Sequence, residues 1–214
     1  SQSADVAFRV KFEGEIPDKS SLYWRGLVFS RLEQNVWSSL GYYDVPVTEQ
    51  RPADVITKGK PLRYSVIMEP TQQNWLYALR YARASTPGVM HTADFRLVSP
   101  APIETEHMYR VESWTQAVVE EQLSEWRRNT ETKLPPQGNP RTRQLALDMR
   151  AAVDSDQQFV DAILDTFNRE SYVYTLRPGR LSGANPVDQF MFESKRGFCE
   201  HYASAFVFMM RAAG

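Results

Sequence analysis

One cysteine, Cys199, and three histidines are all this chain offers of the side chains that most often bind soft metals. A lone cysteine excludes an internal disulfide and a cysteine-based metal site, and it leaves the redox compartment open. Charge of one sign is lacking too: 25 Lys and Arg stand against 26 Asp and Glu, for a formal net charge of -1. No basic field is present to hold nucleic acid. No apolar run approaches the ~20 residues of a membrane-spanning helix. The opening Ser1-Gln2-Ser3-Ala4-Asp5 has neither an initiator Met nor the build of a signal peptide, so the chain reads as an excised soluble region. A phosphate-cradling loop, a dinucleotide fingerprint, EF-hand spacing, zinc spacing, internal repeats and low-complexity tracts are all absent from the sequence.

What is present suffices for one large domain or two small ones in 214 residues. The first part reads as short strands with polar connections. Asp5–Phe12 puts Val6, Phe8, Val10 and Phe12 on one face, and Leu22–Leu32 and Leu62–Met68 follow as strands. Tyr42–Pro61, polar and proline-containing, reads as loop. Trp75–Ala82, Phe95–Val98 and Met108–Val119 complete a sandwich or barrel-like set, with a short helix over Trp75–Leu79 as the alternative. Trp24, Trp37 and Trp75 are candidates for a ligand platform, but core packing is the better reading of them. Arg80 and Arg83, bracketing Tyr81, fit an exposed strand edge better than an anion site. Leu134-Pro135-Pro136-Gln137-Gly138-Asn139-Pro140 is the clearest breaker. The expected organisation is α+β: a β-rich domain over residues 1–119, a linker over 120–138 and a helical domain over 139–214.

In that last part Asn139 and Pro140 read as helix cap and first helical residue, with Leu145, Leu147 and Met149 apolar. A second helix opens at Asp154-Ser155-Asp156, with Phe159, Val160, Ile163, Leu164 and Phe167 as its stripe. Asp161 and Asp165 read as a solvated face rather than an acid–base pair. Tyr172–Leu176 is a short strand, and a loop leads to Asn185. Asn185 or Gln189 is a conceivable oxyanion donor, although an Asn-Pro turn explains Asn185 as well.

Gly197 marks a helix start near Phe198 or Cys199, and the run to Ala213 contains no Pro or Gly. Cys199, Tyr202, Ala203, Phe206 and Met210 share one stripe, beside a polar stripe of Glu200, Ser204 and Arg211. A cysteine at a helix N-terminus meets unpaired N–H groups and the positive dipole end, which favour thiolate and also an acyl oxyanion on the sulfur. Gly197 would let substrate or backbone come close. The bland alternative is an inert buried thiol, and position alone leaves both open. His201 stands ~200° around the helix from Cys199, so it reads as a packing histidine rather than a base. Lys195 and Arg196 read as a solvated pair, and Glu200 as their partner or as a helix-start acid.

The run Gly197-Phe198-Cys199-Glu200-His201-Tyr202-Ala203-Ser204-Ala205 resembles the nucleophile motif of the bacterial transglutaminase-like superfamily. With Asn185-Pro186-Val187-Asp188, Met210-Arg211-Ala212-Ala213-Gly214, Leu134–Arg141, Tyr172–Leu176, Val6–Val10 and Tyr23–Gly26, it is similar to the TgpA-like inner-membrane transglutaminases. The resemblance implies a papain-like core whose helical first half is residues 139–214. It implies Cys199 as nucleophile of a Cys-His-Asp triad, a protein or peptide glutamine donor, an amine acceptor and no cofactor. It also implies the periplasmic face of the inner membrane, with tethering there in the full protein. The family's His and Asp lie downstream of the cysteine helix, and none of His91, His107 and His201 matches them. Residues 1–214 alone are therefore expected to be inactive. A cysteine amidase or peptidase of the same fold is the near alternative. A cell-envelope binding module on a scaffold core is the distant one.

Overall fold

The structure is a computed structural model that describes residues 5–50, 55–119, 123–181 and 183–214. Residues 51–54 within the first expected loop, 120–122 at the start of the expected linker, 182 in the loop before Asn185, and the opening 1–4 lie outside the described residues. The chain forms two compact units, Ser1–Phe29 with Ser39–Ser124, and Ser30–Ser38 with Glu125–Gly214. Thirteen strands run in chain order among the described residues: β1 Phe8–Phe12, β2 Arg31–Glu33, β3 Val36–Ser38, β4 Val55–Lys58, β5 Leu62–Met68, β6 Trp75–Leu76, β7 Ala82–Ala84, β8 Met90–His91, β9 Leu97–Val98, β10 His107–Ser113, β11 Gln116–Val119, β12 Val173–Tyr174 and β13 Arg196–Gly197. The helices are α1 Glu125–Glu131, α2 Pro140–Ala151, α3 Asp156–Arg169, α4 Pro186–Gln189 and α5 Cys199–Ala213. The expected α+β class, strands first and helices after, is the one adopted.

The first unit is built on β5. Its alternation buries Tyr64, Val66 and Met68, and β10 answers with Tyr109, Val111 and Ser113. The sheet order is β1-β5-β10-β7, antiparallel throughout, with Phe8 opposite Met68 and Ser113 opposite Leu62. The two buried tyrosines keep their hydroxyls bonded. Tyr64 Oη shares a 2.8 Å hydrogen bond with Ser113 and accepts from the Leu79 amide at 2.9 Å. Burial pushes its phenol up to about 12. Trp24 sits edge-on to Tyr64 and Phe8, and Trp75 edge-on to Tyr77, so both are core aromatics. Arg80 and Arg83 lie over Tyr23 and Trp114, beside and on the edge strand β7.

Four expectations fail here. Leu22–Leu32 is not a strand: apart from β2, its ladder is the single Arg25–Ala78 bridge, closed by hydrogen bonds of 2.7 and 2.9 Å. Trp24 packs into the core while the backbone finds no continuous partner, and Gly26 lies where a Cβ would come within 3.1 Å of Trp75 and Tyr77. The expected loop at 42–61 contains strand β4, paired with β11 from 116–119. That pairing also explains why Met108–Val119 is two strands, since the chain leaves one sheet after Ser113 and joins another at Gln116. Trp75–Ala82 likewise divides between β6, the bridge and the start of β7.

In the second unit, Phe159 and Ile163 of α3, Ala146 of α2, Val187, Phe190, Met191 and Ala205, Phe208 and Met209 of α5 form one core. Leu164 and Leu147, expected on apolar faces, are exposed, and Ala146 and Thr142 are buried instead. Helix α1 lies within the stretch read as linker. The hairpin β2–β3 contributes Leu32 to the same core, and Trp37 packs against it.

Candidate active site

The polar side of α5 shows how the second unit is fastened. Trp37 of β3 donates its indole N–H to Ser204 at 2.8 Å. Arg211, buried, donates to the carbonyls of Ser30 at 2.9 Å and Lys133 at 3.0 Å, reaches Glu131 at 3.2 Å and lies over the Trp37 ring. Burial pulls its guanidinium below the ordinary range, against the opposing pull of Glu131. The expected polar stripe is therefore a docking stripe for the β2–β3 hairpin. The core face of α5 runs through Ala205, Phe208 and Met209, while Ala203 is exposed and Tyr202, Phe206 and Met210 are half-buried. A helix apolar on most sides gives no periodicity from which to choose its buried face.

Two Asn-Pro pairs, 139–140 and 185–186, hold the floor of the unit by reciprocal capping. Asn139, left-handed at φ 52°, does not cap its own helix. Its carbonyl oxygen accepts from the amides of Val187 at 2.9 Å and Asp188 at 3.2 Å, the first turn of α4. Asp188, buried, returns the bond by accepting from the amides of Arg141 at 3.1 Å and Thr142 at 2.8 Å and from the Thr142 hydroxyl at 2.6 Å. Asn185 accepts from the Asn139 amide at 2.6 Å, so its side-chain oxygen is committed to this brace. Arg143 ties the preceding Pro-Pro-Gln-Gly loop down through Gly138 O at 2.8 Å and Pro135 O.

After α4 the chain makes one wider, π-helical turn, Phe190–Ser194, closed by left-handed Lys195. Its carbonyl at Met191 accepts from Tyr172 Oη at 2.9 Å. Lys195 pairs with Glu170 and lies over Tyr172, so it is not aimed at a thiol. Arg196 and Gly197 then run parallel to Val173 and Tyr174, with the Val173 and Thr175 amides bonding Lys195 O and Gly197 O, each at 2.8 Å.

Helix α5 begins at Cys199, as the position of Gly197 predicts. The thiol is exposed. The N–H groups of Cys199 and Glu200 precede the first intrahelical bond, which His201 N makes to Phe198 O at 2.9 Å. Glu200 lies exposed in this first turn. Gly197 has a different reason from the one expected. A Cβ there would meet His201 Cβ at 2.7 Å, His201 Cγ at 2.9 Å and Phe190 Cε2 at 2.9 Å, so packing, not substrate approach, requires the glycine. His201 is the packing histidine anticipated, with an added role: its Nδ1 accepts the Phe198 N–H at 3.4 Å and its ring meets Phe198 edge-on. Tyr202, one helical turn from Cys199, stacks on Tyr174 and meets Phe190 edge-on. His91 accepts the Ala84 amide at 3.1 Å in the first unit, and His107 stacks on Tyr109 there. Among the described residues no group of three or more His, Cys, Asp or Glu side chains is placed to hold a metal ion. The arrangement presents an exposed thiol to unpaired amides at a helix start seated on a braced floor.

Comparison with known proteins agrees with this geometry. Residues 1–120 match the TgpA N-terminal domain, and residues 143–214 match the transglutaminase-like superfamily. The protein-glutamine gamma-glutamyltransferase of Pseudomonas aeruginosa is 40% identical over 213 residues, which is 100% of this chain and 31% of that protein. The chain thus spans about a third of that relative. YebA of Bacillus subtilis, an uncharacterized protein, is 31% identical over 84 residues, 38% of this chain and 11% of its own length. Two crystal structures of the periplasmic domain of TgpA from Pseudomonas aeruginosa superpose over 100% of this chain. One, bound to ethylmercury, gives a TM-score of 0.90 at 41% identity over 74% of its length; the other gives 0.92 at 40% over 72%. The chain therefore belongs to the TgpA family, with a TgpA N-terminal domain followed by residues of a transglutaminase-like core.

Proposed function

We propose that Cys199 is the nucleophile of a protein-glutamine gamma-glutamyltransferase. The observation that carries this reading is an exposed thiol on the first residue of α5, in a chain 40% identical to a protein of that name. The thiolate attacks a glutamine carboxamide carbon, the C–N bond breaks, and ammonia leaves with the proton supplied to it. The resulting thioester passes its acyl group to an amine and regenerates the thiol. The N–H groups at the helix start are placed to stabilise the oxyanion that precedes each collapse.

The base and its orienting acid belong to residues other than these. His201 is turned to the Phe198 amide, and His91 and His107 are engaged in the first unit. Residues 1–214 alone are accordingly read as inactive. Residues 1–119 and 139–214 are read as separate domains joined through 120–138. The periplasmic face of the inner membrane is the compartment this family membership favours, with tethering supplied elsewhere in the protein. No helix among the described residues is long and apolar enough to cross a membrane.

The test uses the full-length protein with a glutamine-containing peptide and a fluorescent primary amine, following amine incorporation and ammonia release together. Cys199→Ala is expected to lower both by at least ~10³-fold. Retention of incorporation by that variant would remove Cys199 from the role. Ammonia release unaffected by the amine, with no incorporation, would replace transfer by hydrolysis and make the protein a cysteine amidase.

A further inference from the structure

Among the described residues, the short ladder beside the thiol has one edge in use and one open. β12 gives the Val173 and Thr175 amides to β13. Strand alternation turns the N–H and C=O of Tyr174 to the opposite side. The side chains there are apolar and exposed: Val173 43%, Tyr174 62% and Leu176 60%. Tyr174 is tied to the thiol's surroundings, since its ring stacks on Tyr202 at 6.4 Å and Tyr202 lies one turn along the helix from Cys199. An exposed strand edge with apolar side chains is the structure to which an extended peptide adds as a further strand.

The charge around this edge has one sign. Arg177 and Arg180 on the loop after β12, and Arg196 opposite Val173, are all exposed. Among the described residues none has a carboxylate within salt-bridge distance. The acids nearby in sequence are already engaged: Glu170 with Lys195, Asp165 with Arg169 at 2.8 Å, Glu193 near Arg141 at 3.9 Å, and Asp188 in the buried brace. Glu200 is the exception, exposed at the helix start itself. It disfavours an anion directly beside the thiol. The match is therefore to acidic residues set two or more positions from the reacting residue, not adjacent to it.

From this edge, these side chains and this charge we propose that β12 is the docking strip for the acyl donor, an extended peptide that adds as a strand at Tyr174 and carries acidic residues two or more positions from its glutamine. The proposal rests on the gamma-glutamyltransferase reading and adds to it the class of donor. Main-chain bonds to Tyr174 supply register, the Tyr174 and Leu176 side chains supply apolar contact, and the three arginines select the flanking charge.

The full-length protein tests this with three glutamine peptides of one length, flanked two and three positions away by Glu, by Lys or by Ser. The Glu peptide is expected to exceed the Lys peptide by about tenfold in kcat/KM, and the preference to shrink in high salt. Arg177→Glu combined with Arg180→Glu is expected to abolish or invert that order. N-methylation of the peptide amide that pairs with Tyr174 is expected to cost about tenfold. Hydrogen exchange of the fragment covering residues 172–176, in Cys199→Ala full-length protein, is expected to be fast alone and slow with the Glu peptide. Equal reactivity of the Glu and Lys peptides overturns the charge selection. An edge already protected without peptide means that another part of the protein covers it, and overturns the docking strip. Absence of turnover with every peptide is a failure of the transferase reading instead, and the exchange experiment still decides the strip.

Discussion

Replacing Gly197 with alanine tests the packing beneath the cysteine. The added Cβ would lie 2.7 Å and 2.9 Å from His201 and 2.9 Å from Phe190 Cε2. Carbon atoms prefer ~3.5–4.0 Å, so the overlap approaches ~1 Å on two sides. Phe190 is fully buried, and the nearest His201 atom is its Cβ, fixed to the helix backbone, so relief requires the first turn of α5 to shift. If His201 moves, the Phe198 N–H loses its 3.4 Å acceptor. Overpacking of this kind costs about 1–3 kcal/mol and the lost hydrogen bond about 0.5–1.5 kcal/mol more. A domain of this size then melts lower by on the order of 10 °C. The measurement is thermal unfolding of the full-length protein together with the iodoacetamide rate at Cys199, which is expected to fall as the helix start shifts. Gly179→Ala is the control, since a Cβ there meets nothing within 4 Å and the change should stay within ~0.5 kcal/mol. Adding His201→Gly to Gly197→Ala removes both His201 contacts and leaves the one with Phe190, so the double variant is expected to be more stable than the sum of the singles. A Gly197→Ala protein that melts and alkylates like the parent would refute the argument.

Other perturbations read the same unit from different sides. Asp188→Ala strips acceptors from the Arg141 and Thr142 amides and the Thr142 hydroxyl, and is expected to cost about 3 kcal/mol in denaturant unfolding, while Asp161→Ala on the exposed face costs under ~0.5 kcal/mol. Arg211→Met leaves two carbonyls and Glu131 without their donor and is expected to cost about 2 kcal/mol, with faster proteolysis of the β2–β3 hairpin as the local readout. Burial, with the Glu170 and Tyr202 charges behind it, pushes Tyr172 up to about 12. A phenol raised on folding stabilises fully below the unfolded value of ~10 and loses that contribution as pH climbs toward the folded one. Tyr172→Phe is therefore expected to flatten the loss of stability between pH ~10 and about 12, measured by urea unfolding at stepped pH.

What the sequence conveyed and what it hid divide along locality. Leu62–Met68 was legible because its alternation is set by a pleat with one buried face, and the strand has those bounds in the structure. The start of α5 was legible because Gly197 interrupts one pattern and an uninterrupted run follows. Strand β4 was hidden, since Val55–Lys58 is short, sits between prolines, and exists through pairing with residues about sixty positions later. Leu22–Leu32 failed in the opposite sense: its composition suits a strand, but before the short hairpin strand β2 its backbone makes a single bridge, to Ala78. Asn139-Pro140 looked like a local cap because that is the commonest use of the pair. The second Asn-Pro at 185–186 was the one available signal that the caps are exchanged.

The site depends on the same distinction. A helix N-terminus can favour a thiolate only if its first amides stay unpaired and in place, and unpaired ends are where helices fray. Here the fraying tendency is opposed from outside the turn. Gly197 is locked into a ladder and beneath His201, His201 holds the amide of Phe198, and Tyr172 fixes the π-helical turn that delivers the chain to Gly197. The hairpin bonds to Ser204 and Arg211 secure the rest of the helix. None of these groups is needed to polarise the sulfur. Their effect is to keep the turn that carries it from reorganising, so the amides of Cys199 and Glu200 stay in place.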